Sequence, residues 1–168
     1  KFKVIWFVVF VVSLIALVAG IAVAAAGSYA FGYKDISNVR GHRVYVWTGQ
    51  RPDNQIYTSS PVGICQNTAC STKIVETGWV DGTGCFENGC LGDVLQQYVT
   101  YRDINNTLHT LIGFGNLAND TWYQFKVLYS TSASRWEAWR GSDVVWFQPN
   151  LGWVSGNDTA YGSEAAFS

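Results

Sequence analysis

The chain has 168 residues and a formal net charge of -1 at pH 7, with 48% hydrophobic, 15% aromatic and 14% charged residues. A net charge so close to zero does not suggest a polyanion such as DNA or RNA as its partner. The low charge, the 17 glycines and the many aromatic residues are typical of a β protein with glycine-containing turns. The length suits one domain and one attached segment.

The first 28 residues are predicted to form a hydrophobic α-helix. No charged residue lies between Val4 and Tyr33, and lysines lie on either side of that segment. An α-helix rises about 1.5 Å per residue, so the apolar run from Val4 to Ala26 is long enough to cross a bilayer core of about 30 Å. A membrane anchor and a helix buried among copies of itself both fit this pattern, whereas a cleaved signal peptide has a shorter apolar part.

Small residues recur in this segment at spacings of three and four, at Ser13, Ala16, Gly20, Ala24 and Gly27. Such a stripe lets the backbones of neighbouring helices approach closely, so we expect a helix–helix packing face here. The sequence contains no Met and starts at a lysine. We interpret this start as cleavage of a leader ahead of the apolar segment.

These features of the first 28 residues resemble type IV pilins and archaeal filament subunits. The fifth position is Ile5, where bacterial pilins usually carry Glu, so the archaeal subunits are the better match. The resemblance implies that the chain is inserted in a membrane before assembly. It then polymerises through its helix, which is buried among copies of itself.

Residues 29–40 are predicted to be a joint, because they contain glycine and have no strong periodicity. Residues 41–168 are predicted to form an all-β antiparallel sandwich of jelly-roll type, because short strands alternate with turn sequences. A two-residue hairpin turn is expected at Gly141 and Ser142. The predicted strands are 43–47, 73–80, 94–101, 107–114, 121–129, 135–140, 143–148 and 159–167.

Four cysteines, Cys65, Cys70, Cys85 and Cys90, form two C-x4-C pairs. Zinc loops usually have two residues between their cysteines, and neither pair has a histidine close by. The pattern therefore favours disulfides in an exported domain, with three pairings open.

Three N-glycosylation sequons begin at Asn105, Asn119 and Asn157. They agree with a domain that is exposed outside the cell, and they predict glycans at these positions. The acidic, glycine-containing segment 81–89 lacks the ligand spacing of a calcium loop, which favours a disulfide-bridged turn there. We therefore predict no metal ion and no cofactor.

Two glutamates lie in strands whose other residues are apolar or small. Strand alternation places Glu76 on one face with Val80, and places Glu164 among small neighbours. A carboxylate in such a strand is costly unless it is paired, hydrated or protonated. Glu76 either has an ordinary ion-pair partner, such as Lys73 or Arg102, or belongs to a site.

The motif VETGW, the segment GCFENGC and the terminal GSE occur in this order, after GHRVYVW. Over residues 41–168 they resemble the neprosin-type glutamic peptidase domain, although Ser163 replaces a glycine of the last motif. The resemblance implies a β-sandwich in which Glu76 and Glu164 face each other and activate water at low pH. One carboxyl group would then act as the acid and the other as the base.

We therefore expect a structural subunit of an extracellular, cell-surface filament, with the helix at its core and the β-sandwich outside. The first alternative is a membrane-tethered glutamic peptidase. The second is a surface adhesin or lectin that binds glycans through exposed aromatic residues, although most tryptophans are expected in the core. His42 and His109 lack a Cys or Ser partner at a suitable spacing, so both are expected to be structural.

Overall fold

The computed structural model describes residues 28–49, 51, 55–67 and 70–167, with side chains for 37–49, 51, 57–67 and 70–162. All regular structure in these ranges is β-strand. The helix predicted for residues 1–28 lies outside them, except for its last residue, and so does its packing face from Ser13 to Gly27. Within the described ranges, no helix is long and apolar enough to span a bilayer.

The strands form two antiparallel sheets, which confirms the predicted all-β sandwich. The large sheet has the order β1-β11-β3-β4-β6-β7, with β5 paired to β4, and the small sheet has the order β10-β9-β8-β2. The strands of the described ranges are β1 (Ser28–Val39), β2 (Gly41–Trp47), β3 (Gln55–Cys65), β4 (Ile74–Phe86), β5 (Gly89–Gly92), β6 (Gln96–Arg102), β7 (Leu108–Asn116), β8 (Trp122–Ser130), β9 (Arg135–Arg140), β10 (Asp143–Pro149) and β11 (Gly156–Phe167).

The eight predicted strands correspond to β2, β4 and β6–β11, and the hairpin turn lies at Gly141 and Ser142 as expected. The sequence does not predict β3, because Pro61 and Gly63 interrupt its strand pattern. It also does not predict the four-residue β5. Segment 29–40 is not a joint but lies almost wholly in β1. Edge pairing with β11 uses main-chain hydrogen bonds, which need no apolar alternation.

The core lies between the inner faces of the two sheets. The large sheet contributes Ile64, Val75 and Val99, and the small sheet contributes Val127 and Trp136, each at most 1% exposed. Because side chains alternate along a strand, the residues between these on the large sheet point to its other, outer face. The large sheet therefore has a second face that the small sheet does not cover.

Four tryptophans are buried, namely Trp79, Trp136, Trp146 and Trp153. The indole Nε1 of Trp136 donates to the carbonyl oxygen of Trp153 at 2.9 Å, and the two rings lie 4.2 Å apart. The expectation of a tryptophan core is confirmed for these four. Trp47 and Trp122, in contrast, are 44% and 61% exposed.

Both disulfides close locally, joining Cys65 to Cys70 and Cys85 to Cys90. The prediction of disulfides is confirmed, and of the three open pairings the structure has the one within each C-x4-C pair. The first bridge follows the end of β3, and the second ties β4 to β5.

Replacing Trp136 with Ala should lower the free energy of unfolding by about 3–5 kcal/mol, because the change leaves a cavity and removes the partner of the Trp153 carbonyl. Equilibrium unfolding in urea, with both disulfides intact, measures this. Trp122→Ala is the matched control, and its exposed side chain predicts a change within about 0.5 kcal/mol. Equal losses in both variants would contradict this assignment of the core.

Candidate ligand-binding cleft

Strand β4 changes its hydrogen-bonding partner along its length. Residues 75–80 pair with β6, and residues 83–86 pair with β5. The resulting hairpin, residues 83–92, is closed by the Cys85–Cys90 disulfide, and we call it the strap. Because the strap is not paired with β6, its strands can fold over the sheet.

The strap packs on the outer face of the large sheet. Its Leu91 is 6% exposed and contacts a cluster formed by Val80 of β4, Tyr98 of β6 and Ile112 of β7. Phe86, at the start of the turn, packs against the same cluster. The strap therefore crosses three neighbouring strands.

The tip of the strap is fixed to the edge strand β7. The amide of Glu87 donates to the Thr110 carbonyl oxygen at 3.3 Å. The Asn88 side-chain amide donates to the Ile112 carbonyl oxygen at 2.8 Å, and its oxygen accepts from the Ile112 amide at 2.9 Å. Asn88 thus supplies both bonds that a neighbouring strand would otherwise make.

A cleft of about 240 Å³ opens between the strap and the sheet. The described residues of its lining combine aromatic side chains, hydroxyl groups and the carboxylate of Glu76. Its lining residues are Tyr57, Ser59, Glu76, Val80, Phe86, Tyr98, Thr100, Leu108 and Thr110. Its volume is below the range of about 300–1,000 Å³ that suits drug-sized ligands, so it fits a smaller chemical group.

Glu76 lies in the floor of the cleft, half-buried on β4. The Tyr98 hydroxyl donates to Glu76 Oε1 at 3.4 Å. The hydroxyls of Thr100 and Thr110 lie 3.0 Å apart on the next two strands. These four side chains share one face because their positions are directly opposed across β4, β6 and β7 or lie two residues apart.

Gly63 leaves space for the base of the Glu76 side chain. It is directly opposite Glu76, and a Cβ at this position would lie 2.8 Å from the Glu76 Cβ. Such a contact is shorter than real Cβ atoms tolerate, so a larger residue would displace the glutamate. The expected alternative partners lie elsewhere, because Lys73 donates to the Asp103 carbonyl and Arg102 to the Asn106 carbonyl.

Glu164 lies on the same sheet as Glu76, not across the sandwich. The register pairs Glu76 with Gly63, and Glu164 with Ser59. The backbone positions of the two glutamates are thus separated by strand β3 and by four positions along it. Strand dimensions put their Cα atoms about 16 Å apart. The catalytic role assigned to this pair stays a prediction.

His109 connects the strap tip to the β6–β7 turn. Its Nδ1 lies 2.8 Å from Glu87 Oε2, and its Nε2 lies 3.6 Å from Asp103 Oδ2. The hydrogen bond to Glu87 raises the pKa of His109, and the charges of Glu87 and Asp103 raise it further. Its ring stacks on Tyr101, and burial raises the pKa of that phenol.

His42 behaves in the opposite way. It lies on β2, and its Nδ1 is 3.2 Å from the carbonyl oxygen of Gly63. Burial between the sheets lowers the pKa of His42, and the bond to Gly63 only partly opposes this. Both histidines thus have structural contacts, as the sequence predicts.

Sequence reasoning finds Glu76 but misses the residues around it. Tyr98, Thr100 and Thr110 lie at alternate positions of predicted strands, which is the signal for a shared face. Their alignment with Glu76 requires the register between β4, β6 and β7, and no sequence pattern supplies it. The strap is missed because β5 is too short to predict.

The three sequon asparagines Asn105, Asn119 and Asn157 are all exposed. They lie in the β6–β7 turn, in the β7–β8 loop and near the start of β11. Glycosylation at these positions stays a prediction.

Comparisons with known proteins define a fold class. A β-glucanase from Bacillus licheniformis has a TM-score of 0.50 and 9% identity, over 77% of this chain and 54% of its own. LamAcat from Zobellia galactanivorans has a TM-score of 0.47 and 11% identity, over 84% and 58%. The agglutinin CG-16 from chicken liver has a TM-score of 0.46 and 13% identity, over 83% and 95%. The chain thus spans little more than half the length of the first two.

No protein-family model matches the sequence, and no curated protein matches it either. At these identities the solved structures define the fold alone, which is a β-sandwich of the kind found in the glucanase.

The two family resemblances drawn from the sequence are therefore wrong. No family model supports a pilin or a neprosin-type peptidase, the described residues form no helix, and the similar structures are β-sandwiches such as a glucanase. A filament-subunit function is not supported. The pilin resemblance depended on the composition of residues 1–28, and the peptidase resemblance depended on three short motifs. Such motifs also suit an ordinary strand or turn.

The two histidines should titrate in opposite directions from the usual value of about 6.5. The His109–Glu87 pair stabilises the fold fully below that value, and this contribution is lost as pH rises through the raised pKa of His109. For His42 the unfolded chain binds the proton first, so stability falls as pH drops below about 6.5. NMR titration of the two imidazoles checks both signs.

A second test compares the unfolding midpoints of the wild type and of His109→Gln between pH 5 and 9. His109→Gln should flatten the loss of stability on the alkaline side and leave the acid side unchanged. A His109 pKa at or below that of His42 would contradict the ion pair with Glu87.

Asn88→Ala should release the strap tip, because it removes both bonds to Ile112 and exposes the edge of β7. We expect the free energy of unfolding to fall by about 1–3 kcal/mol and the Ile112 amide to exchange faster with solvent. Hydrogen exchange followed by NMR measures this. Asn116→Ala, an exposed change in the same strand, is the control, and equal exchange at Ile112 in both variants would contradict the proposed anchor.

Proposed function

We propose that this chain is a carbohydrate-binding protein with a β-sandwich fold, and that the cleft beneath the strap holds one sugar residue of a glycan. The observation that carries the proposal is the composition of the cleft. Among the described residues, aromatic rings, hydroxyls and the Glu76 carboxylate surround a space of about 240 Å³.

Sugars present two kinds of surface, and the cleft has a counterpart for each. The C–H face of a sugar ring packs on aromatic rings, here Tyr57, Phe86 and Tyr98. The hydroxyl groups of a sugar donate strongly to a carboxylate, which is Glu76. Few, well-placed polar groups among apolar ones are the usual composition of a small-molecule site.

The rigidity of the site supports binding. Glu76 and Tyr98 lie on central strands, and the roof is held by a disulfide and by the Asn88 bonds. Groups that are already fixed lose little conformational entropy on binding a ligand. The fold likeness to a β-glucanase, whose name refers to a glucan, is consistent with a polysaccharide ligand.

The setting we propose is the cell exterior, as an adhesin or lectin. Two disulfides persist only in an oxidising compartment. The three exposed sequon asparagines are accessible for glycosylation there.

Binding is tested with the purified full chain, its disulfides intact, against soluble β-glucan oligosaccharides and a neutral α-glucan as the comparison. We expect saturable binding of one glycan class by calorimetry. Glu76→Gln should weaken it by about tenfold to a hundredfold, because a charge-assisted hydrogen bond is lost. Tyr98→Phe should weaken it by about threefold to tenfold.

Tyr161→Phe removes the same hydroxyl from a tyrosine of β11 that is 49% exposed and is not part of the cleft lining, so it is the matched control and should bind as wild type. Binding that survives both Glu76→Gln and Tyr98→Phe would place the sugar outside the cleft. Absence of saturable binding across the panel would overturn the proposed function.

A further inference from the structure

The outer face of the small sheet has a second surface of different chemistry. Strands β2 and β8 place three pairs of side chains directly opposite one another. We call them the cation–aromatic face, and they are Trp47 with Trp122, Tyr45 with Gln124, and Arg43 with Lys126. This face lies on the side of the sandwich away from the cleft, because the two sheets pack through their other faces.

The aromatic part of this face is exposed and fixed. Tyr45, Trp47 and Trp122 are 64%, 44% and 61% exposed, and the two indole rings meet edge to face at 5.5 Å. Buried Thr48 holds the strand ends beside them. Its hydroxyl oxygen lies 2.7 and 2.9 Å from the carbonyl oxygens of Ala118 and Thr121, which share its one proton, and it accepts from the Thr121 amide at 3.1 Å. The rings are therefore positioned before any partner arrives.

No described acidic side chain neutralises the two positive charges of this face. Arg43 and Lys126 are direct cross-strand neighbours, and like charges in such positions destabilise a sheet. Among the described residues neither forms an ion pair. The acid of the same sheet face, Glu137, is 4% exposed and is already bound by Arg135.

Lys126 also lies over the Trp139 ring, with its Nζ 3.7 Å from the centroid. This contact keeps the ammonium on the sheet face rather than away from it. Two adjacent cations held beside three exposed rings favour a ligand that has both rings and negative charge. An anion at this point would relieve the repulsion between Arg43 and Lys126.

We propose that the cation–aromatic face binds an anionic polysaccharide made of uronate-type sugar rings. The sugar rings pack on Trp47 and Trp122, and the carboxylates meet Arg43 and Lys126. Gln124 supplies hydrogen bonds between the two. The extended strands match an extended polymer, which lies along β2 and β8. This site is separate from the cleft and does not depend on it.

A lipid surface fits the same face less well. None of the six side chains is aliphatic, and Gln124 lies between the aromatic and cationic pairs, where an acyl chain would leave its amide without a partner. Anionic vesicles therefore serve as a comparison in the test.

The full chain, with disulfides intact, is run in native gels that contain polygalacturonate or its methyl ester, the same polymer without charge. We expect retardation by polygalacturonate alone, and weakening as sodium chloride rises. Trp122→Ala should weaken binding by about threefold to tenfold. Arg43→Gln with Lys126→Gln should remove both the retardation and its salt dependence.

Two variants act as controls. Phe147→Ala removes an aromatic side chain of the same sheet that is 52% exposed, and it should leave retardation unchanged. Glu76→Gln alters the cleft and should also leave it unchanged, so failure of the cleft proposal and failure of this one are distinguishable. Unchanged unfolding midpoints in the variants exclude misfolding as the cause.

Several results would overturn the proposal. Equal retardation by the methyl ester would remove the role of the cations. Full retardation of Trp122→Ala would remove the role of the rings. Binding to anionic vesicles without binding to polygalacturonate would identify a lipid surface instead. Dimers that are lost in Trp122→Ala, without polymer binding, would identify a second copy of the chain.

Discussion

The change of partner within β4 is the constraint on which the cleft depends. A strand that stayed paired with β6 to its end would leave the outer face of the large sheet flat and open. Because β4 turns to β5 after residue 80, the hairpin covers three strands and creates a roof. The departure is made by Gly82 and Gly84, whose φ angles of 143° and 158° are ones that residues with a side chain rarely adopt.

The two outer faces of the sandwich differ because the alternation of side chains gives each sheet an inner and an outer set. On the large sheet the outer set includes Glu76, Tyr98 and Thr100, held beneath the strap. On the small sheet it includes Trp47 and Arg43, which no strand covers within the described ranges. The first surface suits a small neutral group, and the second suits a charged polymer.

Each kind of sequence pattern predicts a different part of the fold and of the cleft. The alternation of side chains shows which residues share a face of a strand. The strand around Glu76, and the position of Glu76 on the same face as Val80, could therefore be predicted. Register between distant strands leaves no local trace, so the meeting of Glu76 with Tyr98 could not. Pro61 and Gly63 interrupt the strand pattern of β3, although a Cβ at position 63 would collide with the Cβ of Glu76 on the neighbouring strand. The two family resemblances are wrong because neither the composition of residues 1–28 nor three short motifs carries information on strand order.

Asn88 has a consequence for how this molecule meets others. An edge strand is a template for another chain, and among the described strands of the large sheet β1 and β7 lie at the edges. The amide of Asn88 occupies the exposed bonding positions of Ile112, and Glu87 occupies that of Thr110. A foreign strand therefore finds β7 already engaged. Strand addition to this sheet is therefore blocked at the β7 edge and is left to the β1 edge. Two molecules that associate in this way form a pair, and the pair does not extend into a longer stack.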